Sequence, residues 1–188
     1  CEGGTTIDGN TVSVAPDQAA TCTITNDDRA PTLTLVNTIV NDNGGSVTDP
    51  NAFGLRIDGA AVPHDVATAV EIGDLLVSAD GWPGYQPGTW GGDCAPDGSI
   101  TLSLGQNAVC TITHNDITPT LTLLKSIVND NGGTVTNPDA FGLTIDGQVV
   151  LHDVATAVNA GTRQASEIGL PGYAAGNWGG DCNTNGSI

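Results

Sequence analysis

Residues 31–45 read PTLTLVNTIVNDNGG, and residues 119–133 read PTLTLLKSIVNDNGG. Threonine alternates with apolar residues in both, the period of a half-buried strand, and each run stops at a dense turn signal. Working outward, HDVATAV begins at His64 and again at His152, and WGGDC begins at Trp90 and again at Trp178. Laying residues 31–100 on 119–188, at a period of 88 and with no gap, gives 45 identities in 70 positions. Such self-similarity is the mark of a tandem array of one structural unit. Cys22–Thr25 (CTIT) matches Cys110–Thr113. Residues 1–30 therefore read as the C-terminal part of one repeat, 31–118 as a complete repeat, and 119–188 as the N-terminal part of another. Two readings of those ends stay open: a window on a longer array, or subunits that join head to tail, residues 1–28 of one completing 119–188 of the next as an added strand.

The units read as all-β. Phe53–Ile57 alternates and stops at Asp58-Gly59; Val66–Val70, Leu75–Ala79, Ile100–Leu104 and Val109–Thr113 supply further short strands. Gly105-Gln-Asn107 sits between the last two as a tight hairpin loop would. Asp65–Val70 could form at most one helical turn. About seven short strands per unit predict a two-sheet, Ig-like sandwich, with the recurring Phe53/Phe141, Tyr85/Tyr173 and Trp90/Trp178 in its core. The joints are three or four residues long and contain Pro31 or Pro119, which predicts limited bending between neighbours.

Composition narrows the function. The chain of 188 residues has 21 acidic residues, 18 of them Asp, against 4 basic ones, a formal net charge of −17. Such a surface repels phosphate, so a basic nucleic-acid groove is excluded, and no apolar run approaches the roughly 18 residues of a membrane-spanning helix. With neither an initiator Met nor a signal peptide, the sequence reads as a mature product or a segment of a longer one. The five cysteines fit the repeat frame. Cys94 and Cys110 share one unit, and their pairing would stabilise it by roughly 3 kcal/mol on the chain-entropy model. Cys1 and Cys22 are their counterparts in the preceding unit. Cys182 matches Cys94, and its partner is expected outside its own fragment. No Cys/His cluster at zinc spacing occurs, and disulfides predict an oxidising location, secreted or on a cell surface.

The unit's ending is GYxxGxW-GGDC…GSIxLxxGxxxxCTIT-ND, carried here by Gly84-Tyr85, Gly88, Trp90–Cys94, Gly98–Ile100, Leu102, Gly105 and Cys110–Thr113. With its front, it resembles the prealbumin-like, or CnaB-type, repeats of bacterial surface proteins and pilins. The resemblance covers essentially the whole sequence and implies a β-sandwich stalk module, arrayed in adhesins and fibres. It also implies, in many relatives, an internal bond between a first-strand Lys and a last-strand Asn, with a Glu assisting proton transfer. Mapped here, the second repeat offers Lys125, the protein's only lysine, and Glu167, while Asn26 holds the last-strand position in the first fragment. The complete unit departs at all three positions, with Asn37, Ala79 and His114, so no such bond is expected within 31–116. A Lys125–Asn26 bond between subunits would follow from the head-to-tail reading.

Asn41–Gly45 and Asn129–Gly133 are rich enough in oxygen ligands for calcium loops, with Asp42 and Asp130 as candidates and Asp27, Asp28 and Asp116 as further candidates at the joints. They do not follow the spaced EF-hand pattern, and a tight turn with positive φ asks for the same residues; both readings stay open. His64-Asp65 and His152-Asp153 recur without a nucleophile or oxyanion site beside them, so they are expected to be structural and the protein not to be an enzyme. The expectation is therefore a structural extracellular protein building a rigid stalk or filament, whose partners are copies of itself or adjacent repeats, with calcium the one candidate cofactor. The alternative is an adhesin module gripping a host or matrix ligand.

Overall fold

The computed structural model describes residues 6–8 and 11–188. Strands β1 (Thr6–Asp8) and β2 (Thr11–Ser13) pair antiparallel as an isolated ribbon. Residues 21 to 30 are exposed throughout, and residues 22–28 lie in no strand. Cys22–Thr25 thus has the sequence of Cys110–Thr113 without its strand pairing.

Residues 31–116 build a closed sandwich. One sheet holds β4 (Leu55–Ile57), β5 (Ala60–Ala61), β7 (Gly73–Ala79) and β10 (Ser99–Leu102), in the order β10-β7-β4-β5. The other holds β3 (Thr32–Val40), β6 (Thr68–Ala69), β8 (Tyr85–Pro87) and β11 (Asn107–Asp116), in the order β6-β3-β11-β8, with β9 (Gly91–Gly92) also on β11. First and last long strands run parallel, from Asn107 opposite Thr32 to Asn115 opposite Val40. β11 alternates strictly, with Ala108, Cys110, Ile112, His114 and Asp116 buried and the residues between them exposed. Its inner face meets Leu33, Leu35, Leu55, Val77, Trp90 and Leu102 in one core.

Two local readings are revised. The run predicted as a strand from Phe53 begins as a 3₁₀ turn over Pro50–Phe53, because the Asp49 side group caps Asn51 and Pro50 favours a first turn. Gly105-Gln-Asn107 is not a hairpin: β10 and β11 belong to different sheets, and the loop crosses the sandwich with the Gly105 N–H donating to the Arg29 carbonyl at 2.7 Å. Within the limit of one helical turn expected for Asp65–Val70, none forms: Asp65 takes a positive φ of 57° and the backbone goes on into β6.

Residues 119–188 repeat the same path with fewer pairings. β12 (Thr120–Leu121) pairs with β15 (Thr156–Ala157). β13 (Leu143–Ile145) lies between β14 (Gln148–Val149) and β16 (Ala165–Glu167). Leu123, Leu143, Ile145 and Ala165 form a small core, with Trp178 and Cys182 packed against it. Among the described residues, no strand occupies the place that β11 holds in the first sandwich, between residues 121–126 and 175–182. An open groove runs there, with stretches of about 270 and 390 Å³.

Candidate functional site: an open groove and a locked joint

The groove has a filled counterpart. In the closed unit the Cys94–Cys110 disulfide ties β11 to the loop after β9, with an S–S length of 1.92 Å. Four residues further along the same face, His114 is fully buried; its Nδ1 lies 2.7 Å from Asn37 Oδ1, and its ring lies 4.3 Å from that of Phe53. The Asn37 amide donates to the Pro50 carbonyl, so its Oδ1 accepts and Nδ1 carries the proton. His114 Nε2 has no partner. Burial pushes the imidazole pKa down, which keeps the ring neutral.

In the open unit the same place is charged. Lys125, in the Asn37 position, sets its Nζ 2.7 Å from Glu167 Oε2, in the Ala79 position. Both side groups are largely buried, 17% and 12% exposed. The ammonium also stands over the Phe141 ring, 4.6 Å from its centroid, a favourable cation–π placement. Lys125, Glu167, Gly176 and Trp178 line the groove. The structure therefore brings together two of the three residues singled out by resemblance; Asn26 lies in the exposed segment 21–30 and is not joined to them. Cys182 is a free thiol, partly buried against the second core. Cys22 is disulfide-bonded; Cys1 lies outside the described residues.

His64 and His152 hold the strand bearing this site. His64 Nδ1 accepts from the Asn37 N–H at 3.0 Å, and His152 Nδ1 accepts from the Lys125 N–H at 2.9 Å. Each histidine's own backbone N–H is fixed from behind: His64 donates to Asn51 Oδ1, and His152 to Asp139 Oδ1. Both histidines are spent on orientation.

The second feature is the joint, and sequence reasoning missed how its central residue is held. Asp116, at the end of β11, is buried, and its carboxylate accepts from the N–H groups of Asn43 (2.9 Å) and Gly45 (2.6 Å) and from the Asn43 amide (3.2 Å). Burial works against the charge, but the Gly45 and Asn43 hydrogen bonds outweigh it and the Asp116 pKa falls below the usual carboxylate range. The turn so held reaches the neighbouring unit. The Asn43 carbonyl accepts from the Ala160 N–H at 2.7 Å, and Asn43 Oδ1 accepts from the Thr118 hydroxyl at 2.8 Å. Gly44 has a φ of 88°, and a Cβ there would lie 2.7 Å from the Ala160 carbonyl oxygen, so glycine serves both the turn and the close approach. A Cβ at Gly45 or Gly133 would collide with the hydroxyl of Tyr85 or Tyr173, which donates to Asn41 or Asn129 Oδ1. The recurrence of Asn, Gly-Gly and Tyr in both units was the available signal.

Asp42 and Asp130 each accept from the amide of the next asparagine, and Asp27 and Asp28 are exposed. Among the described residues, no group of three or more His, Cys, Asp or Glu is placed to hold a metal ion. None of the described helices is long and apolar enough to cross a membrane.

Comparison with known proteins agrees with this architecture. The family model described as a prealbumin-like fold domain matches twice, over residues 28–112 and 116–188. No curated protein and no solved structure matches the sequence. Domains of this kind are typical of bacterial pilins and surface proteins and are generally non-enzymatic. With two matches spanning most of its residues, the protein belongs to the prealbumin-like fold domain family.

Proposed function

We propose that the protein is a structural, extracellular stalk element, in which sandwich units stand end to end at fixed angles and transmit tension. The observation that carries this reading is the joint: Asn43, held within its own unit by Asp116 and by the Thr118 hydroxyl, accepts at its carbonyl from the Ala160 N–H of the next unit at 2.7 Å. A turn whose donors are fixed by a buried carboxylate and whose Asn43 carbonyl engages the following unit resists bending. The disulfide staples β11, the strand through which force would leave the first sandwich, and fits an oxidising surface location.

The groove adds a second staple. Lys125 Nζ, deprotonated through Glu167, attacks the carboxamide carbon of an asparagine at the position Asn26 holds in its own fragment. The new bond from Nζ to that carbon replaces the carboxamide's own bond to nitrogen, and ammonia leaves. The drift between repeats also favours a spacer over an adhesin: Asp74–Val77 becomes Thr162–Ala165, and Ala60–Pro63 becomes Gln148–Leu151, so no one ligand surface is shared.

Small-angle scattering tests the stalk. The expected curve is that of an elongated particle with one fixed angle between units, and Asn43→Gly should loosen it. Two units tumbling independently in the wild-type protein would overturn the reading. The cross-link is tested by intact mass under reducing, denaturing conditions. A loss of one ammonia per bond is expected, and full mass with separable subunits would exclude it.

A further inference from the structure

We propose that Asn43-Gly44 is a deamidation site guarded by the joint: the pair stays intact while the joint is closed, converts to aspartate or isoaspartate once the joint opens, and the joint then does not re-form. The proposal rests on the joint of the stalk reading and adds a chemical fate to it.

An Asn-Gly pair obstructs ring closure least, because glycine has no Cβ beside its own attacking nitrogen. Here that nitrogen is uncommitted. Asp116 takes up the N–H groups on either side, those of Asn43 and Gly45. The Gly44 N–H between them has no partner among the described residues, and Gly44 is exposed. The carboxamide it would attack is held at both polar atoms. Asn43 Nδ2 donates to Asp42 Oδ1 at 2.6 Å, to Asp116 Oδ1 at 3.2 Å and to the Asp116 carbonyl at 3.3 Å. Asn43 Oδ1 accepts from the Thr118 hydroxyl at 2.8 Å. Ring closure brings Cγ to bonding distance of the Gly44 nitrogen and expels Nδ2, so these contacts must break first. Local opening of the joint therefore sets the rate.

The chemistry needs only water. The Gly44 nitrogen gives its proton to solvent and bonds to Asn43 Cγ; the bond from Cγ to Nδ2 breaks, and ammonia leaves a cyclic succinimide. Water then opens the ring. Attack at Cγ yields aspartate, and attack at the backbone carbonyl carbon yields isoaspartate, whose main chain is one methylene longer. Neither product fits the joint. In aspartate, an oxygen replaces the Nδ2 that stood between Asp42 and Asp116, so three carboxylates meet where two shared a donor. In isoaspartate, the added methylene enters a turn so close to the next unit that a Cβ on Gly44 would lie 2.7 Å from the Ala160 carbonyl oxygen. Because the ammonia is lost to solvent, the joint keeps a one-way record of having been opened.

The test uses the whole protein. It is incubated in mildly alkaline buffer, native and in concentrated guanidinium, and Asn43 is followed by peptide mapping with mass spectrometry. The native protein should react about tenfold or more slowly, the factor imposed by a local opening of about 1.4 kcal/mol. Thr118→Val, which frees Asn43 Oδ1 at an exposed residue, should raise the native rate about threefold and leave the denatured rate alone. Asp116→Asn should raise the native rate further. The converted fraction, separated by anion exchange on its added negative charge, should show the loosened scattering curve of Asn43→Gly, and so should Asn43→Asp. Equal native and denatured rates overturn the proposal, as does a native rate unmoved by both Thr118→Val and Asp116→Asn. A converted fraction that scatters like the unmodified protein overturns it too. If the unmodified protein holds one fixed angle while Asn43 reacts as fast as in guanidinium, the stalk reading stands and only this proposal falls.

Discussion

The two sandwiches share 45 of 70 residues, yet one is closed and the other open. Comparing them separates what the repeat sequence specifies from what the final strand contributes. β13, β14 and β16 take up the same arrangement as β4, β5 and β7 without any β11 beside them. The sheet around β3 differs. Its nine-residue strand shrinks to the two residues of β12 in the open unit, because β11 is its principal partner. The last strand thus organises half of the fold, and the site it crosses changes character with it: a neutral Asn37–His114 pair where the strand is present, a Lys125–Glu167 ion pair where the place is open.

The sharpest way to break the comparison is to hollow out equivalent core positions. Phe53 is fully buried against Tyr85, Trp82 and His114. Phe53→Ala should cost the closed unit about 4 kcal/mol in chemical denaturation. Phe141→Ala should cost the open unit less, because its ring meets Tyr173 and Lys125 but no counterpart of His114. Equal losses would mean that the last strand adds little to the core. Next in size is the disulfide. Replacing Cys94 and Cys110 by Ala should lower the closed unit's stability by about 3 kcal/mol, read as a shift of its transition alone, since the Cys182 thiol cross-links nothing within the open unit.

How much of this was legible beforehand depends on the range of the interaction. β3 follows from TLTL, and β11 from alternating residues around CTIT, because a half-buried strand writes its period into the sequence. The pairing of Cys94 with Cys110 follows from their place in one repeat. The crossing at Gly105–Asn107 did not, because turn chemistry is local and cannot say which sheet receives the next strand. β8 and β9 were missed because Tyr85–Pro87 and Gly91–Gly92 carry Gly and Pro instead of an alternation. The role of Asp116 was equally opaque: its donors are backbone N–H groups 71 and 73 residues away, and backbone donors leave no trace in composition. Lys125 and Glu167 became candidates through family resemblance, and their separation along the sequence hides the contact from any local pattern.

A smaller effect separates the units by pH. His114 is buried and neutral, with its pKa lowered by loss of solvation. In the unfolded state it returns to about 6.5. Between those two values the unfolded state binds the extra proton, so acid favours unfolding. The closed unit should hold its full His114 contribution above about pH 6.5 and lose it progressively as pH falls toward the folded value. His114→Gln should flatten that slope, at some cost in packing on Phe53. Asp116 acts in a different window. Its pKa is lowered on folding, so its contribution is present above the unfolded value of about 4 and is lost only in stronger acid. A slope that survives His114→Gln between neutral pH and about 5 would assign it to another group.

The smallest expected effect is that of metal removal, and it decides between the two readings of the Asn-Asp-Asn-Gly-Gly turns. Calcium prefers six to eight oxygen ligands. At Asn41–Gly45 the best-placed carboxylate, Asp116, already accepts from two backbone N–H groups and an amide, donors that point at the oxygens a cation would need. A bound cation would have to expel those donors and reopen the turn that touches Ala160. Dialysis against a chelator should therefore leave the melting temperature of the closed unit and the scattering curve of the joined pair where they were. Asp116→Asn should lower the first and broaden the second, because the amide that replaces one carboxylate oxygen would face the Gly45 and Asn43 N–H groups with hydrogens of its own. A chelator that reproduced the Asp116→Asn phenotype would instead make these turns calcium loops, and the joint a metal-locked one.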